Sequence, residues 1–370
     1  MSKPVRILHV VVNMNRGGAE TLIMNLYRSI NRSKVQFDFL TCKEGVFDPE
    51  IKELGGRVHR IPYVSEVGHL GYIKSLDEFF SSHNNFQIVH THLNQMSGLV
   101  VRAAKKNGIK YCITHSHNTG GEGSFLAKGY KWYSSLYIPG NSDFTFACSD
   151  KAAKWLFGSK AKDAKLLNNG IEPETFSYSP EVRREKRKEL GFKDHQLVIG
   201  HIGRFTKQKN HMFLVEVFAE FLKRKPDSIL LLCGDGVLRK SLEARVEELK
   251  IQENVQFLGV RSDVNQLLQA FDLFAFPSLH EGLPVTLVEA QAAGVPCLIS
   301  SEITKEVDLG LGLIKHINIT NIDAWVNEFE KFKMEQRDMD TKKINQIRER
   351  GYDIKSTSLW LQDFYLSKAR

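Results

Sequence analysis

Cysteine is scarce in this chain: five residues in 370, at positions 42, 112, 148, 233 and 297, an odd number with no two nearer than 36 positions. That excludes a disulfide framework and a cysteine-based zinc site. Thiols set in strand-like surroundings fit a reducing compartment. Long apolar runs are absent too, and no stretch approaches the ~18 residues of a spanning helix. Met1 to Val12 has a basic residue and a short apolar run but no cleavage-site pattern, so no signal peptide is expected. The expectation is a soluble, cytoplasmic protein. No phosphate-binding P-loop or G-x-G-x-x-G fingerprint occurs. Basic residues interleaved with aromatics are also missing, which argues against a nucleic-acid partner.

What is present is ordinary globular composition, 42% hydrophobic and 25% charged, in a chain long enough for two domains at ~150 residues each. The net charge of +8 is uneven. Residues 1–178 hold 22 Lys/Arg against 15 Asp/Glu, and residues 179–370 hold 29 against 28. The excess on the first half suits an anionic surface such as a membrane or lipid phosphate, or simply a solvated face.

Short β-branched runs alternate with amphipathic patterns. Ile7 to Val12 reads as a buried strand and Ala19 to Ile30 as a helix with Leu22, Ile23, Leu26, Tyr27 and Ile30 on one face. Strand-like runs recur at 37–40, 57–61, 88–90, 111–114 and 144–147, and after the charged stretch Arg183 to Leu190 at 198–202, 229–233, 255–258, 273–276 and 296–299. This rhythm predicts an α/β chain of two Rossmann-like, doubly wound domains, 1–180 and 181–355. Ligands of such sheets bind at the carboxyl ends of strands, so a cleft between the two domains is the expected site. The amphipathic segment 356–370 is expected to pack on either domain, crossing back to the first as one choice.

Gly17-Gly18 follows the first strand and opens the first helix, where glycine lets a ligand approach backbone donors. The second half carries the richer constellation. Gly203-Arg204-Phe205-Thr206-Lys207-Gln208-Lys209 follows a strand, and Glu281-Gly282-Leu283-Pro284-Val285-Thr286-Leu287-Val288-Glu289 sets two carboxylates eight positions apart. A diphosphate would rest on the N–H groups near Val285 and Thr286, neutralised by Arg204 as a fork and Lys209 as a point charge. Glu289 would then accept hydrogen bonds from ribose hydroxyls.

These residues resemble the retaining, nucleotide-sugar-dependent glycosyltransferases of family 4, which have the GT-B fold, and in particular those of bacterial capsular and exopolysaccharide biosynthesis. The likeness runs nearly end to end. It covers Gly17 to Glu20, His90-Thr91-His92, Thr114-His115-Ser116-His117-Asn118, Asn169-Gly170-Ile171 and the Gly-Arg…Lys segment. It continues through Asp272 to Ser278 into the Glu-x7-Glu signature. The resemblance implies that Arg204 and Lys209 hold the donor diphosphate, Glu289 the ribose and Glu281 the sugar hydroxyls, with Gly282 and Leu283 in the same loop. Gly17 and Gly18 would line the cleft, and the backbone near Val260 and Arg261 would face the base. A histidine of the first domain would lie near the transferred sugar; both His115 and His117 follow the right strand, and His117 is preferred.

The same resemblance implies a UDP-sugar as co-substrate, no cofactor and no required metal. The acceptor would be a polyprenyl-diphosphate-linked glycan, with peripheral contact at the inner membrane face. The acceptor would attack on the leaving-group side, while charge on the departing diphosphate is stabilised. A sugar-nucleotide epimerase of GT-B type and a non-catalytic partner subunit are the alternatives. The charged run containing Asp338-Met339-Asp340 reads as a solvated face rather than a metal site. His90 with His92, and His115 with His117, share strand faces and pose a rival zinc-hydrolase reading without the usual acidic partners. Trp132 and Tyr133 read as core packing, with contact to acceptor or lipid as the alternative.

Overall fold

A computed structural model describes residues 3–120, 124–332, 337 and 341–369. Asp338-Met339-Asp340 lies outside the described residues. The chain divides into two units, residues 1–170 with 351–370, and residues 171–350.

The first unit is a seven-stranded parallel sheet. Its strands are β1 Val5–Val10, β2 Val35–Thr41, β3 Val58–Arg60, β4 Ile88–Thr91, β5 Tyr111–Ser116, β6 Phe144–Ala147 and β7 Lys165–Leu166, in spatial order β3-β2-β1-β4-β5-β6-β7. Order reverses between β1 and β4, so the carboxyl ends of those two strands form the point where such sheets take ligands. Strands β2 and β4 are buried along their whole length, as a sheet covered on both faces requires, and the sheet's buried set includes the polar Asp38, His90 and His115. Leu22, Ile23, Leu26 and Tyr27 of the helix Gly18–Ser29 pack on Phe37 and Phe39 of β2.

The helix Ile354–Lys368 belongs to this unit as well. Leu361, Phe364 and Tyr365 join the same core, and the Asn31 N–H donates to Gln362 Oε1 at 3.1 Å. At ~25 cal/mol per Å² of apolar surface, each such buried ring is worth ~1.5–3 kcal/mol.

The second unit repeats the scheme with β8 Val198–Ile202, β9 Ile229–Cys233, β10 Val255–Gly259, β11 Leu273–Phe276, β12 Cys297–Ser300 and β13 Ile314–Ile317, ordered β10-β9-β8-β11-β12-β13. Its reversal point lies between β8 and β11. The division between units falls at Gly170, ten residues before the expected 180, because residues 171–179 are bound into the second unit. Gln269 accepts from the Ser179 N–H and donates to the Phe176 carbonyl.

The charged stretch expected to separate the domains is the helix Pro180–Glu189, and it is anchored rather than solvated. Arg183 and Arg187 both pair with buried Asp272, at 2.5 and 3.1 Å, and Lys186 reaches Asp263 at 2.9 Å. Asp272 also accepts from the Val198 N–H at 2.7 Å, which ties that helix to the first strand of the sheet. Among the described residues no helix is long and apolar enough to cross a membrane.

Candidate active site

At the reversal point of the second sheet, the loop after β8 and the loop after β11 are joined by one backbone hydrogen bond and two from side-chain amides. The Leu279 N–H donates to the Gln208 carbonyl at 2.8 Å, the Gln208 amide to the His280 carbonyl at 2.7 Å, and the Asn210 amide to the Pro277 carbonyl at 3.3 Å. These contacts bring Lys209 and Glu281 together across 72 positions of sequence: Nζ lies 2.6 Å from Oε1, over the face of Phe276. Below them His201 donates from Nδ1 to the Ala275 carbonyl at 2.7 Å, with the His211 ring edge-on at 4.4 Å. Burial drives both imidazoles toward the neutral form, His201 to about 3 and His211 lower still. The lysine therefore has no competing cation beneath it.

The loop after β9 closes the third side. The Gly203 N–H donates to the Cys233 carbonyl and the Phe205 N–H to the Asp235 carbonyl, both at 2.9 Å. Gly234 has φ 142°, and a Cβ there would sit 2.0 Å from the Gly203 oxygen; one on Gly236 would sit 2.5 Å from the Phe205 oxygen. Only glycine permits this approach. The sequence reading passed over Gly234 and Gly236, although a Gly-x-Gly directly after a strand was the available signal.

Helix Val285–Ala292 starts after Pro284 with no side-chain cap, so the N–H groups of its first turn are free of a capping side chain. Glu281, Gly282 and Leu283 are buried in the loop before it, and Thr286 is half-buried. Glu289 lies on the second turn, 8% exposed, with no hydrogen-bond or ion-pair partner among the described residues. Burial raises its carboxyl to about 7. A lone buried carboxyl group is costly unless a ligand supplies donors. Arg204 is exposed on the loop after β8.

Val260 is 60% exposed. The Arg261 guanidinium pairs with Asp263 at 2.7 Å, and its hydrogen bond holds that carboxyl well below the usual range. The side chain of Arg261 is thereby committed.

In the first unit Gly17 caps the helix Gly18–Ser29 in an extended conformation, and the space a Gly18 Cβ would occupy is open. His117 is half-buried just beyond β5. Asn94 Oδ1 accepts from its backbone N–H at 2.8 Å, and its Nε2 shares a 2.8 Å hydrogen bond with His92 Nδ1. His115 is fully buried, and neither of its ring nitrogens has a partner. Of the two candidates only His117 reaches the edge of the sheet. Burial keeps both imidazoles neutral near pH 7, with His117 lowered to about 3. Trp132 is 61% exposed and Tyr133 38%, so neither is the core residue expected from sequence.

Residues 17–170 match the family described as glycosyl transferase 4-like domain, and residues 182–350 that described as glycosyl transferases group 1. EpsF of Bacillus subtilis (strain 168), named as a glycosyltransferase, is 37% identical over 88% of this chain and 86% of its own length. An Escherichia coli UDP-Gal:alpha-D-GlcNAc-diphosphoundecaprenol alpha-1,3-galactosyltransferase is 26% identical over 91% of this chain and 86% of that protein. The capsular polysaccharide biosynthesis glycosyltransferase CapH of Staphylococcus aureus is 22% identical over 98% of this chain and 99% of its own. In three dimensions the crystal structure of Anabaena Alr3699/HepE in complex with UDP and glucose superposes with a TM-score of 0.77 at 19% identity, covering 98% of this chain and 100% of that one. The chain belongs to the group 1, family-4-like glycosyltransferases, and its two parallel-sheet units are those of the GT-B fold.

Proposed function

We propose that this glycosyltransferase moves a sugar, with retention of configuration, from a UDP-sugar to a polyprenyl-diphosphate-linked glycan in capsule or exopolysaccharide assembly. The observation that carries the reading is the lone buried carboxyl of Glu289 on a helix whose uncapped start follows the Lys209–Glu281 pair. Ribose hydroxyls supply the donors that Glu289 lacks, and the first-turn N–H groups at Val285 and Thr286 meet the diphosphate. Arg204 adds a fork, and Lys209 shares its charge between Glu281 and a phosphate oxygen. Glu281, partly released, accepts from a hydroxyl of the sugar. His117, with His115 as the alternative, is the first unit's candidate for contact with that sugar. The backbone of Val260 and Arg261 faces the base, and Gly17 and Gly18 leave room for the reacting groups.

In the transfer itself, the bond from the anomeric carbon to the diphosphate oxygen breaks and the acceptor oxygen bonds to the same face of that carbon. The acceptor's proton passes to the departing phosphate. Each positioned donor at the leaving oxygens is worth ~10²–10³ in rate. Fixed cations and a helix start do here what a divalent ion does elsewhere, so no metal is assigned to this step. The choice of UDP and of a lipid-linked acceptor is supported by the Escherichia coli relative, and that of the pathway by CapH.

The helix Phe125–Ser135 presents Phe125, Leu126 and Trp132 at 90%, 83% and 61% exposure beside Lys128. Together with the basic balance of residues 1–178, this fits a cytoplasmic enzyme held peripherally on an anionic inner leaflet.

Thermal unfolding with UDP, GDP, ADP and TDP, in EDTA, for the wild type and Glu289→Ala tests the donor site. A ligand at ~100 times its dissociation constant adds ~2.7 kcal/mol. Stabilisation by UDP that Glu289→Ala abolishes is the expected result. Absence of any shift would overturn the donor assignment, and a shift with another nucleotide alone would overturn the choice of UDP.

A further inference from the structure

Strands β1, β4 and β5 and the residues that follow them gather five imidazoles: His9, His90, His92, His115 and His117. His9 and His90 are register partners on adjacent strands, and His92 lies two residues beyond His90, on the same face. His9 Nδ1 is 2.9 Å from His92 Nε2, and the rings of His90 and His92 are 4.3 Å apart. One ring nitrogen from each of His9, His90 and His92 lies within 4.8 Å of the other two.

Half of the ring nitrogens in the five-membered cluster are buried without a partner: His9 Nε2, His90 Nε2, both nitrogens of His115, and His117 Nδ1. A buried polar atom left unpaired costs ~1–3 kcal/mol, and native proteins keep only a few per hundred residues. Three of the five, on His115 and His117, lie outside the His9–His90–His92 group; within it, the unpaired His90 Nε2 calls for a ligand that accepts a nitrogen lone pair.

The outward-facing nitrogens strengthen the case. His90 Nδ1 lies 2.7 Å from the Tyr365 hydroxyl, and His92 Nδ1 lies 2.8 Å from His117 Nε2. With the proton on Nδ1 of His90 and His92, Tyr365 Oη and His117 Nε2 accept it; with the proton of His9 on Nε2, the lone pairs of His9 Nδ1, His90 Nε2 and His92 Nε2 face one another, and a cation between them takes the place of the His9–His92 hydrogen bond. Metal-bound histidines are held in just this way, the second ring nitrogen donating to an outer partner.

We propose that His9, His90 and His92 form a site for one zinc-class divalent cation in the first unit, with Tyr365 as a positioning residue behind His90. Bonds of ~2.0–2.1 Å at tetrahedral angles need nitrogens about 3.3 Å apart, a separation that small ring rotations supply. An all-imidazole set selects zinc, copper or nickel over magnesium and calcium. His9 and His90 are 0% and 1% exposed, so with a water as fourth ligand the ion is closed to substrate and its role is structural. It clips β1 to β4 and, through Tyr365, to the helix Ile354–Lys368. The site shares only His117, the outer partner of His92, with the donor-binding assignment, whose cations are Arg204 and Lys209 of the second unit.

The test uses the purified full chain, loaded with zinc sulfate, dialysed and measured by inductively coupled plasma mass spectrometry. A parallel sample is titrated with cobalt(II) and followed by visible absorption. One zinc per chain and the intense bands of four-coordinate cobalt are expected. His9→Gln and His90→Gln should lose the ion, His115→Gln should keep it, and Tyr365→Phe should keep it with affinity weakened ~10–100-fold. The cobalt spectrum of the wild type decides even if a histidine variant fails to fold. A folded wild type that retains no zinc and leaves cobalt with the spectrum of the aqueous ion overturns the proposal. Retention by His9→Gln together with loss by His115→Gln overturns it equally, by moving the ion to another triad.

Discussion

The two sheets share one topology and furnish their reversal points in opposite ways. In the first unit the strand ends carry neutral imidazoles, though residues 1–178 hold nearly all of the basic excess of the sequence. In the second unit acidic and basic residues nearly cancel, yet the strand ends concentrate a lysine, a paired glutamate and a lone buried carboxyl group. Net charge thus tells where a surface meets its surroundings, and says little about where charge is put to chemical use. The residues that matter are those whose neighbours forbid ordinary solvation.

That contrast is broken most severely by disturbing what holds the charged unit together. Asp272→Ala leaves Arg187, 4% exposed, without its carboxylate, and should cost ~3–5 kcal/mol in urea unfolding. Next comes the chemistry: Arg204→Ala should lower transfer of sugar from a labelled donor ~10²–10³-fold while leaving the unfolding midpoint unchanged.

Glu289→Gln sharpens the comparison through pH. Because burial raises the folded-state pKa from 4.5 to about 7, the folded form keeps a proton that the unfolded form gives up, and stability falls as pH climbs through that window. Relative to the wild type, the variant should gain about 3 kcal/mol between pH 4.5 and pH 8, read from denaturation curves at the two values. The smallest effect on stability belongs to Phe125→Ser with Leu126→Ser, within about 0.5 kcal/mol each. The same double variant should lose sedimentation with anionic phosphatidylglycerol vesicles.

Most of both sheets was legible in the sequence because buried parallel strands announce themselves as β-branched runs. β7 was not: it is two residues long, Lys165 and Leu166, both exposed. β13 was missed because Lys315 and His316 interrupt its apolar ends. The helix Pro180–Glu189 read as a separator because a charge pattern cannot reveal that Lys186 and Arg187 are buried on acidic partners supplied 77 and 85 positions away. Glu281 and Glu289 were visible as a pair since they share one loop and helix. The closeness of Lys209 to Glu281 depends on loop-to-loop hydrogen bonds that leave no local mark. His9 likewise joins His90 and His92 only through the register of β1 against β4, and Gly234 is required only because another loop lies against it.

The return of the helix Ile354–Lys368 to the first unit has a consequence for biosynthesis. The second unit is a continuous insertion of 180 residues within the first. At ~5–20 residues per second, a ribosome takes about 10–40 s to make it. During that interval Phe37 and Phe146 lack the Phe364 and Tyr365 side chains that cover them. The order of translation therefore lets the second unit mature first and leaves the half made earliest waiting, with an apolar groove open to chaperones, until its last helix emerges.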